Sequence, residues 1–153
     1  METTRKSRVL IADDEPANQE LLEAFLIGED YDLEFASDGA ETLEKVASFE
    51  PDLILLDVMM PKLSGFEVCE KIKNSPETSG IMVLMVTALS ELGDVERAVR
   101  VGCDDYLSKP IHKLELLKRV ENMLKLRAVT NELERLRRYI DEMEEGLSPK
   151  AAR

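Results

Sequence analysis

The chain is poor in cysteine and has no long apolar run, and both absences exclude whole classes of protein. Its only cysteines, Cys69 and Cys103, cannot supply the disulfide framework of a small secreted domain. The longest apolar run, 81-IMVLMV-86, is far shorter than the roughly 20 residues that a helix needs to cross a bilayer. A secretory signal requires a sustained apolar segment after its basic residues, and none follows the basic residues near this amino terminus. We therefore expect a soluble cytoplasmic protein.

Positive charge is also scarce. The chain has 20 lysines and arginines against 32 aspartates and glutamates, which gives a net charge of -12. A surface of this sign repels nucleic-acid phosphates, so we expect no direct nucleic-acid partner, and no membrane partner either. The 153 residues, 44% of them hydrophobic, suit one packed domain with an appendage.

Short apolar runs recur along the chain and predict five strands. The runs are 9-VLIA-12, 33-LEFA-36, 53-LILL-56, 81-IMVLMV-86 and 106-YL-107. Most are apolar at consecutive positions, which is typical of parallel strands covered on both faces. Segments with helical spacing separate them, so the pattern predicts an α/β fold with a parallel sheet and right-handed crossovers.

The last predicted helix begins near Lys113 and meets no glycine or proline until Gly146. Its first part carries Leu114, Leu117, Val120 and Leu124, which we expect to pack on the sheet. An a/d heptad pattern then follows, with apolar residues at 126, 129, 133, 136, 140, 143 and 147.

This heptad pattern predicts a parallel coiled coil and a homodimer. Glu132 at position g and Arg137 at the following e position can pair across two parallel strands of the coil. The alternative is one long solvated helix that folds back on its own domain. The predicted organisation is an amino-terminal tail at 1–5, a globular domain at 6–125, a coiled-coil helix at 126–147 and a flexible tail at 148–153.

Polar side chains stand where several predicted strands end. Asp13 and Asp14 follow the first strand, Asp57 the third, Thr87 the fourth and Lys109 the fifth. Ligands of open parallel sheets bind at this carboxyl edge. Taken singly, an aspartate there usually caps the next helix, and a threonine or lysine is ordinary surface. The full set at successive strand ends indicates a shared site.

The chemistry of this set points to a metal and a phosphoryl group. Close carboxylates repel one another and favour Mg²⁺, which takes oxygen ligands. A hydroxyl and an ammonium group supply hydrogen-bond donors for an oxyanion. No GxxxxGK[ST] loop is present, so the phosphate is not that of a bound nucleotide. The option left is that a carboxylate itself accepts the phosphoryl group.

The sequence closely resembles the receiver domain of two-component response regulators over about residues 6–125. The resemblance lies in the acidic pair Asp13 and Asp14, in 57-DVMMPKLSG-65, in Thr87 followed by Ala88, and in 106-YLSKP-110. It implies a flavodoxin-like, doubly wound (βα)5 fold. It also implies a sensor histidine kinase or phosphotransfer protein as phosphodonor, and a downstream protein or effector domain as target.

The resemblance assigns a role to each site residue. Asp57 would accept the phosphoryl group. Mg²⁺ would be bound by Asp14, Asp57 and the backbone carbonyl of Met59, and by Asp13 through water. Lys109 would pair with Asp57 or its phosphoryl oxygens. Thr87 would swing in to hydrogen-bond the phosphoryl group, and Tyr106 would turn inward as a second switch residue.

Receivers that continue into a helical coil often precede effector enzymes such as diguanylate cyclases. The chain is thus expected to be a regulatory phosphoacceptor with weak autophosphorylation and autodephosphorylation, standing alone or serving as the amino-terminal module of an effector. One alternative is an aspartate-based hydrolase, but Asp57 is followed by Val-Met-Met and not by a DxDx[ST] pattern. A second alternative is a constitutive dimeric scaffold whose acidic site is vestigial.

Overall fold

The computed structural model describes residues 5–88 and 92–147, apart from the side chains of Leu92 and Leu147. Five parallel strands form one sheet in the order β2-β1-β3-β4-β5. The strands are β1 (Ser7–Ala12), β2 (Tyr31–Ala36), β3 (Leu53–Leu56), β4 (Met82–Thr87) and β5 (Asp105–Ser108). The helices are α1 (Pro16–Leu26), α2 (Gly39–Phe49), α3 (Gly65–Lys73), α4 (Leu92–Arg100) and α5 (Lys113–Leu147). The predicted flavodoxin-like (βα)5 fold is confirmed, and the predicted tail at 148–153 lies outside the described residues.

Consecutive apolar residues form the strands because both faces of the sheet are covered. On one face, Leu10 and Ile54 pack with buried side chains of α2, α3 and α4. On the other face, Ile11 and Leu55 pack with buried side chains of α1 and α5. Because the helices cover the two faces of the sheet, loops border its carboxyl edge. The predicted site residues lie at this edge.

Helix α5 begins at Lys113, as predicted, and continues without a break to Leu147. The prediction that Leu114 packs on the sheet is wrong, because its side chain is 82% exposed. Leu116, Val120 and Met123 instead form the buried stripe. Leu114 precedes Leu116 by two positions, which is about 200° around a helix, so the two side chains point to opposite sides. Leu117 and Leu124 pack partly against the core, as expected.

This pair of leucines supplies a matched test of the α5 packing. Leu116→Ala removes a fully buried side chain and is expected to lower the free energy of unfolding by about 2–5 kcal/mol. Leu114→Ala on the same helix is expected to change it by less than about 0.5 kcal/mol. Urea unfolding of both variants measures the difference. Equal losses would show that the register of α5 on the sheet is not the one described.

The a/d residues of the heptad pattern lie on the surface of α5. Leu126, Val129, Leu133, Leu136, Ile140 and Met143 are each between 45% and 61% exposed. Their arrangement on a continuous helix matches the predicted stripe, and the coiled coil itself stays a prediction. Within residues 5–88 and 92–147, no helix combines the length and apolar content needed to cross a membrane.

Candidate functional site

The strand order brings the predicted site residues to one edge of the sheet. Strands β1 and β3 are neighbours, with Ala12 opposite Leu56, so the aspartates that follow them are adjacent. The backbone N–H of Asp57 donates to the carbonyl of Ala12 at 2.9 Å and joins the two strand ends. At the end of β4, the carbonyl of Thr87 accepts from the N–H of Lys109 at 2.9 Å.

The Lys109 ammonium bridges two of the carboxylates. Its Nζ lies 3.1 Å from Asp13 Oδ2 and 3.2 Å from Asp57 Oδ2. Burial alone would lower the pKa of Lys109, but the attraction of Asp57 and the hydrogen bond to Asp13 raise it. Burial raises the pKa of Asp57, and Asp13 adds to this, against the opposing effect of Lys109. The lysine is therefore held as a cation between two buried acids.

The acidic group has the composition of a hard-cation site. Oxygen atoms of Asp13, Asp14 and Asp57 all lie within 4.8 Å of one another. Asp13 and Asp57 are buried, whereas Asp14 is exposed at the mouth of the group. Asp13 Oδ1 accepts hydrogen bonds from Glu15 N at 2.9 Å and Asn18 Nδ2 at 3.4 Å, which fixes its orientation. Three oxygen donors, one of them open to solvent, fit Mg²⁺, which retains several waters when bound.

A cleft of about 590 Å³ opens at this edge. Its walls include Asp14, Asp57, Thr87 and Lys109, so four of the five polar residues predicted at strand ends face one space, and Asp13 lies beside it, paired with Lys109. The exposed Met59 also lines the cleft, together with Met60, Pro61 and Ser64 from the loop after Asp57. The predicted convergence of acid, hydroxyl and ammonium groups is thus present in the structure.

The loop after Asp57 needs a glycine at its end. The N–H of Gly65 donates to the carbonyl of Val58 at 2.9 Å, which closes the loop against the strand end. A Cβ at position 65 would lie 2.2 Å from the Asp57 carbonyl oxygen and 2.8 Å from Val58 Cα. Met59 N donates to Asp57 Oδ1 at 3.2 Å, so the same loop also orients the Asp57 carboxylate.

A second support for this loop comes from the start of α2. The N–H of Gly39 donates to the carbonyl of Pro61 at 3.3 Å, and a Cβ there would lie 2.4 Å from the Leu63 carbonyl oxygen. Lys62, which adopts a left-handed conformation, pairs with Asp38 at 3.3 Å. Sequence reasoning missed this support, although the pair Asp38-Gly39, one residue after β2, was a visible signal of a cap and a close approach.

The two predicted switch residues lie on neighbouring strands. Thr87 is buried at the end of β4 and lines the cleft. Tyr106, on β5, packs partly buried against the core face that carries α3 and α4. Strand β5 pairs with β4 so that Tyr106 stands opposite Met85, two residues before Thr87. Thr87 thus lies at the cleft, and Tyr106 lies on the adjacent edge strand β5.

Removing the Lys109 charge tests the electrostatics of the cleft. Lys109→Gln leaves Asp13 and Asp57 without their cation, so we expect a loss of about 1–3 kcal/mol in the free energy of unfolding without Mg²⁺. Added Mg²⁺ should stabilise this variant more than the parent, because it supplies the missing positive charge. Thermal unfolding with and without Mg²⁺ measures both effects. Lys118→Gln, at an exposed ion pair, is the control. Indistinguishable Mg²⁺ responses of parent and Lys109→Gln would contradict the expectation.

Comparison with known proteins identifies one family. The family model described as response regulator receiver domain matches residues 9–121. The response regulator PleD of Caulobacter vibrioides is 43% identical over 127 residues, which are 83% of this chain and 28% of PleD. The DNA-binding dual master transcriptional regulator RpaA of Synechocystis is 41% identical over 118 residues, which are 77% of this chain and 49% of RpaA.

Solved structures show the same likeness. A response regulator from Chloroflexus aurantiacus matches with a TM-score of 0.75 and 32% identity, over 79% of this chain and 99% of that one. A CheY-like receiver domain protein from Methanospirillum hungatei matches with a TM-score of 0.77 and 28% identity, over 82% and 98%. The chain spans about half or less of the length of PleD and RpaA. Because RpaA is named as DNA-binding, the expectation that nucleic acid is not a partner has no support from the comparisons.

Proposed function

This chain belongs to the response regulator receiver domain family, and on that premise we propose that Asp57 accepts a phosphoryl group from a sensor histidine kinase or phosphotransfer protein. Receiver domains interact with histidine kinases and effectors, and they bind Mg²⁺ at an acidic pocket. The observation that carries the proposal is the cleft in which Lys109 bridges Asp13 and Asp57 beside the exposed Asp14.

The transfer is a displacement at phosphorus. An Asp57 carboxylate oxygen forms a bond to phosphorus while the phosphorus–nitrogen bond of the donor phosphohistidine breaks. The imidazole nitrogen keeps the electron pair of that bond, and the product is an acyl phosphate on Asp57. Catalysis of this kind rests on positioning and on charge neutralisation, since little covalent chemistry is left for other side chains.

The residues around Asp57 supply that positioning. Asp14, Asp57 and the backbone carbonyl of Met59 would hold Mg²⁺, with Asp13 acting through water. Bound Mg²⁺ would neutralise the developing negative charge on the phosphoryl oxygens. Lys109 moves from the Asp57 carboxylate to a phosphoryl oxygen, and it remains paired with Asp13.

Thr87 and Tyr106 make the site a switch. Phosphorylation adds negative charge and acceptor oxygens at Asp57, which draw the Thr87 hydroxyl toward the phosphoryl group. Tyr106 then turns inward into the space beside β4. The two arrangements form a two-state element whose balance depends on the charge at Asp57, and this changes the surface formed by α4, β5 and α5.

The helix after the receiver is the proposed output connection. Residues 6–125 act as the receiver, and residues 126–147 pair with a second copy in a parallel coiled coil. The exposed a/d stripe supports this arrangement, because so many apolar side chains on one helix face need a partner. Pairing of Glu132 with Arg137 of the second copy would set the register. A downstream protein or effector domain then responds to the dimer.

Incubation with acetyl phosphate and intact-mass measurement tests the phosphoacceptor role. We expect one labile phosphate per chain with Mg²⁺, none with a chelator, and none in Asp57→Asn. Asp30→Asn, at an exposed aspartate, is the matched control and should behave as the parent. No uptake by the parent would favour a constitutive scaffold. Continuous release of inorganic phosphate without a stable adduct would favour a hydrolase.

A further inference from the structure

Asp52 is a buried carboxylate at the edge of the sheet opposite to the candidate site. It directly precedes β3, whereas Asp57 directly follows it, and its exposed fraction is 5%. The Arg5 guanidinium binds it with two hydrogen bonds of 2.8 and 2.9 Å. The N–H of Arg8 donates to Asp52 Oδ2 at 2.8 Å, and Arg127 Nη1 lies 3.0 Å from Asp52 Oδ1.

This carboxylate is fully satisfied only while all of these donors are present. Each oxygen receives two contacts, one from Arg5 and one from either Arg8 N or Arg127. Burial alone would raise the pKa of Asp52, but the Arg5 hydrogen bond, the Arg8 N–H and Arg127 together lower it. A buried charge with such partners is costly to leave unpaired, so the contact is strongly held.

Arg127 connects this carboxylate to the long helix. It lies on α5 beyond residue 121, where the family match ends. Its Nε donates to the carbonyl of Gly80 at 3.1 Å, so one side chain reaches the segments before β3 and before β4. The spacing from Val120 through Met123 to Arg127 continues the buried stripe of α5 by one more turn. The described residues of α5 beyond Arg127 are exposed, except for the partly exposed Asn131.

The a/d stripe faces away from this contact. A helix turns 100° per residue. The centre of the a/d stripe, from Leu126 to Met143, therefore lies about 140° around the helix axis from the centre of the buried stripe that ends at Arg127. The helix is therefore held to its own domain on one side while the a/d stripe stays open on the other. Since Leu126 and Arg127 are consecutive, the stripe begins where α5 makes its last ion pair with the domain.

We propose that the ion pairs of Arg5 and Arg127 with Asp52, here called the clasp, fix the angle at which α5 leaves the sheet. The clasp makes the domain and the first turns of the extension one rigid unit, so a displacement of α5 at the sheet is carried into residues 126–147. Without it, α5 would be held only by its apolar packing, which ends near Leu124, and could pivot on the sheet. The clasp involves none of the residues around Asp57, and its test does not depend on the proposed phosphoacceptor role.

Distances between spin labels on the full chain measure the angle directly. Labels at Ser48→Cys on α2 and Glu142→Cys on α5 are both on exposed positions. Burial raises the pKa of Cys69 to about 12 and that of Cys103 to about 11, so the native thiols compete poorly for the label. An excess of unlabelled chain keeps every measured pair within one chain, whatever the oligomeric state.

The variants separate the clasp from general stability. Arg127→Gln is expected to widen the distance distribution about twofold or more relative to the parent. Arg135→Gln, at a residue that pairs with Glu132 on the same helix, should leave it unchanged. If the single variant folds poorly, the double variant Asp52→Asn with Arg127→Gln can replace it. This variant removes both charges together, so the carboxylate is not left buried without Arg127. It should show the same widening.

A broad distribution in the parent, or equal widths in the parent and in both Arg127→Gln variants, would overturn the clasp. Equal widening by Arg135→Gln would also overturn it, because the extension would then be mobile for another reason. Uptake of phosphate from acetyl phosphate should be unchanged in Arg127→Gln. Failure of the parent to take up phosphate would contradict the phosphoacceptor role and leave the distance result intact.

Discussion

Replacing Gly65 with alanine is expected to lower the free energy of unfolding by about 3 kcal/mol or more. The added methyl group would lie 2.2 Å from the Asp57 carbonyl oxygen and 2.8 Å from Val58 Cα. Both neighbours are backbone atoms at the end of the central strand β3, so neither can rotate away as a side chain could. The clash must move either the start of α3 or the loop after Asp57.

Two further glycine variants make this expectation specific. Gly28→Ala has open space around it and should leave stability within about 0.5 kcal/mol of the parent. Gly39→Ala meets the Leu63 backbone at 2.4 Å and should approach the loss caused by Gly65→Ala, because both glycines support the same loop. Urea unfolding of the three variants checks the ranking. A Gly65→Ala protein as stable as Gly28→Ala would mean that the loop after Asp57 is not closed as described.

Charge placed in the a/d stripe is expected to turn a dimer into a monomer. Leu133→Lys together with Ile140→Lys removes two apolar contacts from each strand of the proposed coil. Burying one such side chain is worth about 1.5–3 kcal/mol, so association should weaken by about 10³-fold or more. The helix content should also fall, because a solvated amphipathic segment without a partner is only marginally helical.

Sedimentation equilibrium and far-ultraviolet circular dichroism measure this effect. Leu114→Lys introduces the same charge on the same helix at a highly exposed position outside the stripe, and it should not change the oligomeric mass. A parent that is monomeric at every accessible concentration would remove the coiled coil from the account. Repeating the measurement with beryllofluoride and Mg²⁺ shows whether the state of Asp57 controls the association.

The fold was predictable where the pattern of apolar residues in a segment matches the way that segment is buried in the sheet. The apolar runs of β1, β3 and β4 are covered on both faces, and their lack of alternation correctly predicted a parallel sheet. The strand order was not visible in these runs, because it depends on which strands pair in the completed fold. The start of α5 near Lys113 was predicted correctly from its place just after 109-KPIH-112, and its unbroken length from the lack of a helix breaker for more than thirty residues.

The face of α5 was harder to predict because the segment holds more leucines than one stripe can bury. Leu114 and Leu116 are chemically equal, and only the packing against α1 and the sheet decides that Leu116 is inside. A similar limit applies to Asp52. A lone aspartate before a strand looks like a turn residue in sequence. Its partners Arg8 and Arg5 lie 44 and 47 positions away along the chain. Contacts of that separation depend on the completed fold.

The candidate site was predictable in composition but not in arrangement. The set of Asp13, Asp14, Asp57, Thr87 and Lys109 was visible as polar residues at strand ends, and all contribute to one edge. The bridging position of Lys109 between two acids could not be read from the sequence, because it depends on the completed fold. The same holds for the support that Gly39 gives to the loop after Asp57, because it depends on how closely two backbones approach.

Chemical mapping of the phosphorylated residue tests the central claim most directly. After phosphorylation by acetyl phosphate with Mg²⁺, borohydride reduces an aspartyl phosphate to homoserine, and peptide mass spectrometry locates the altered residue. We expect homoserine at position 57 alone, with no altered residue when a chelator replaces Mg²⁺. Homoserine at another aspartate, or no conversion in a chain that carries phosphate, would contradict it.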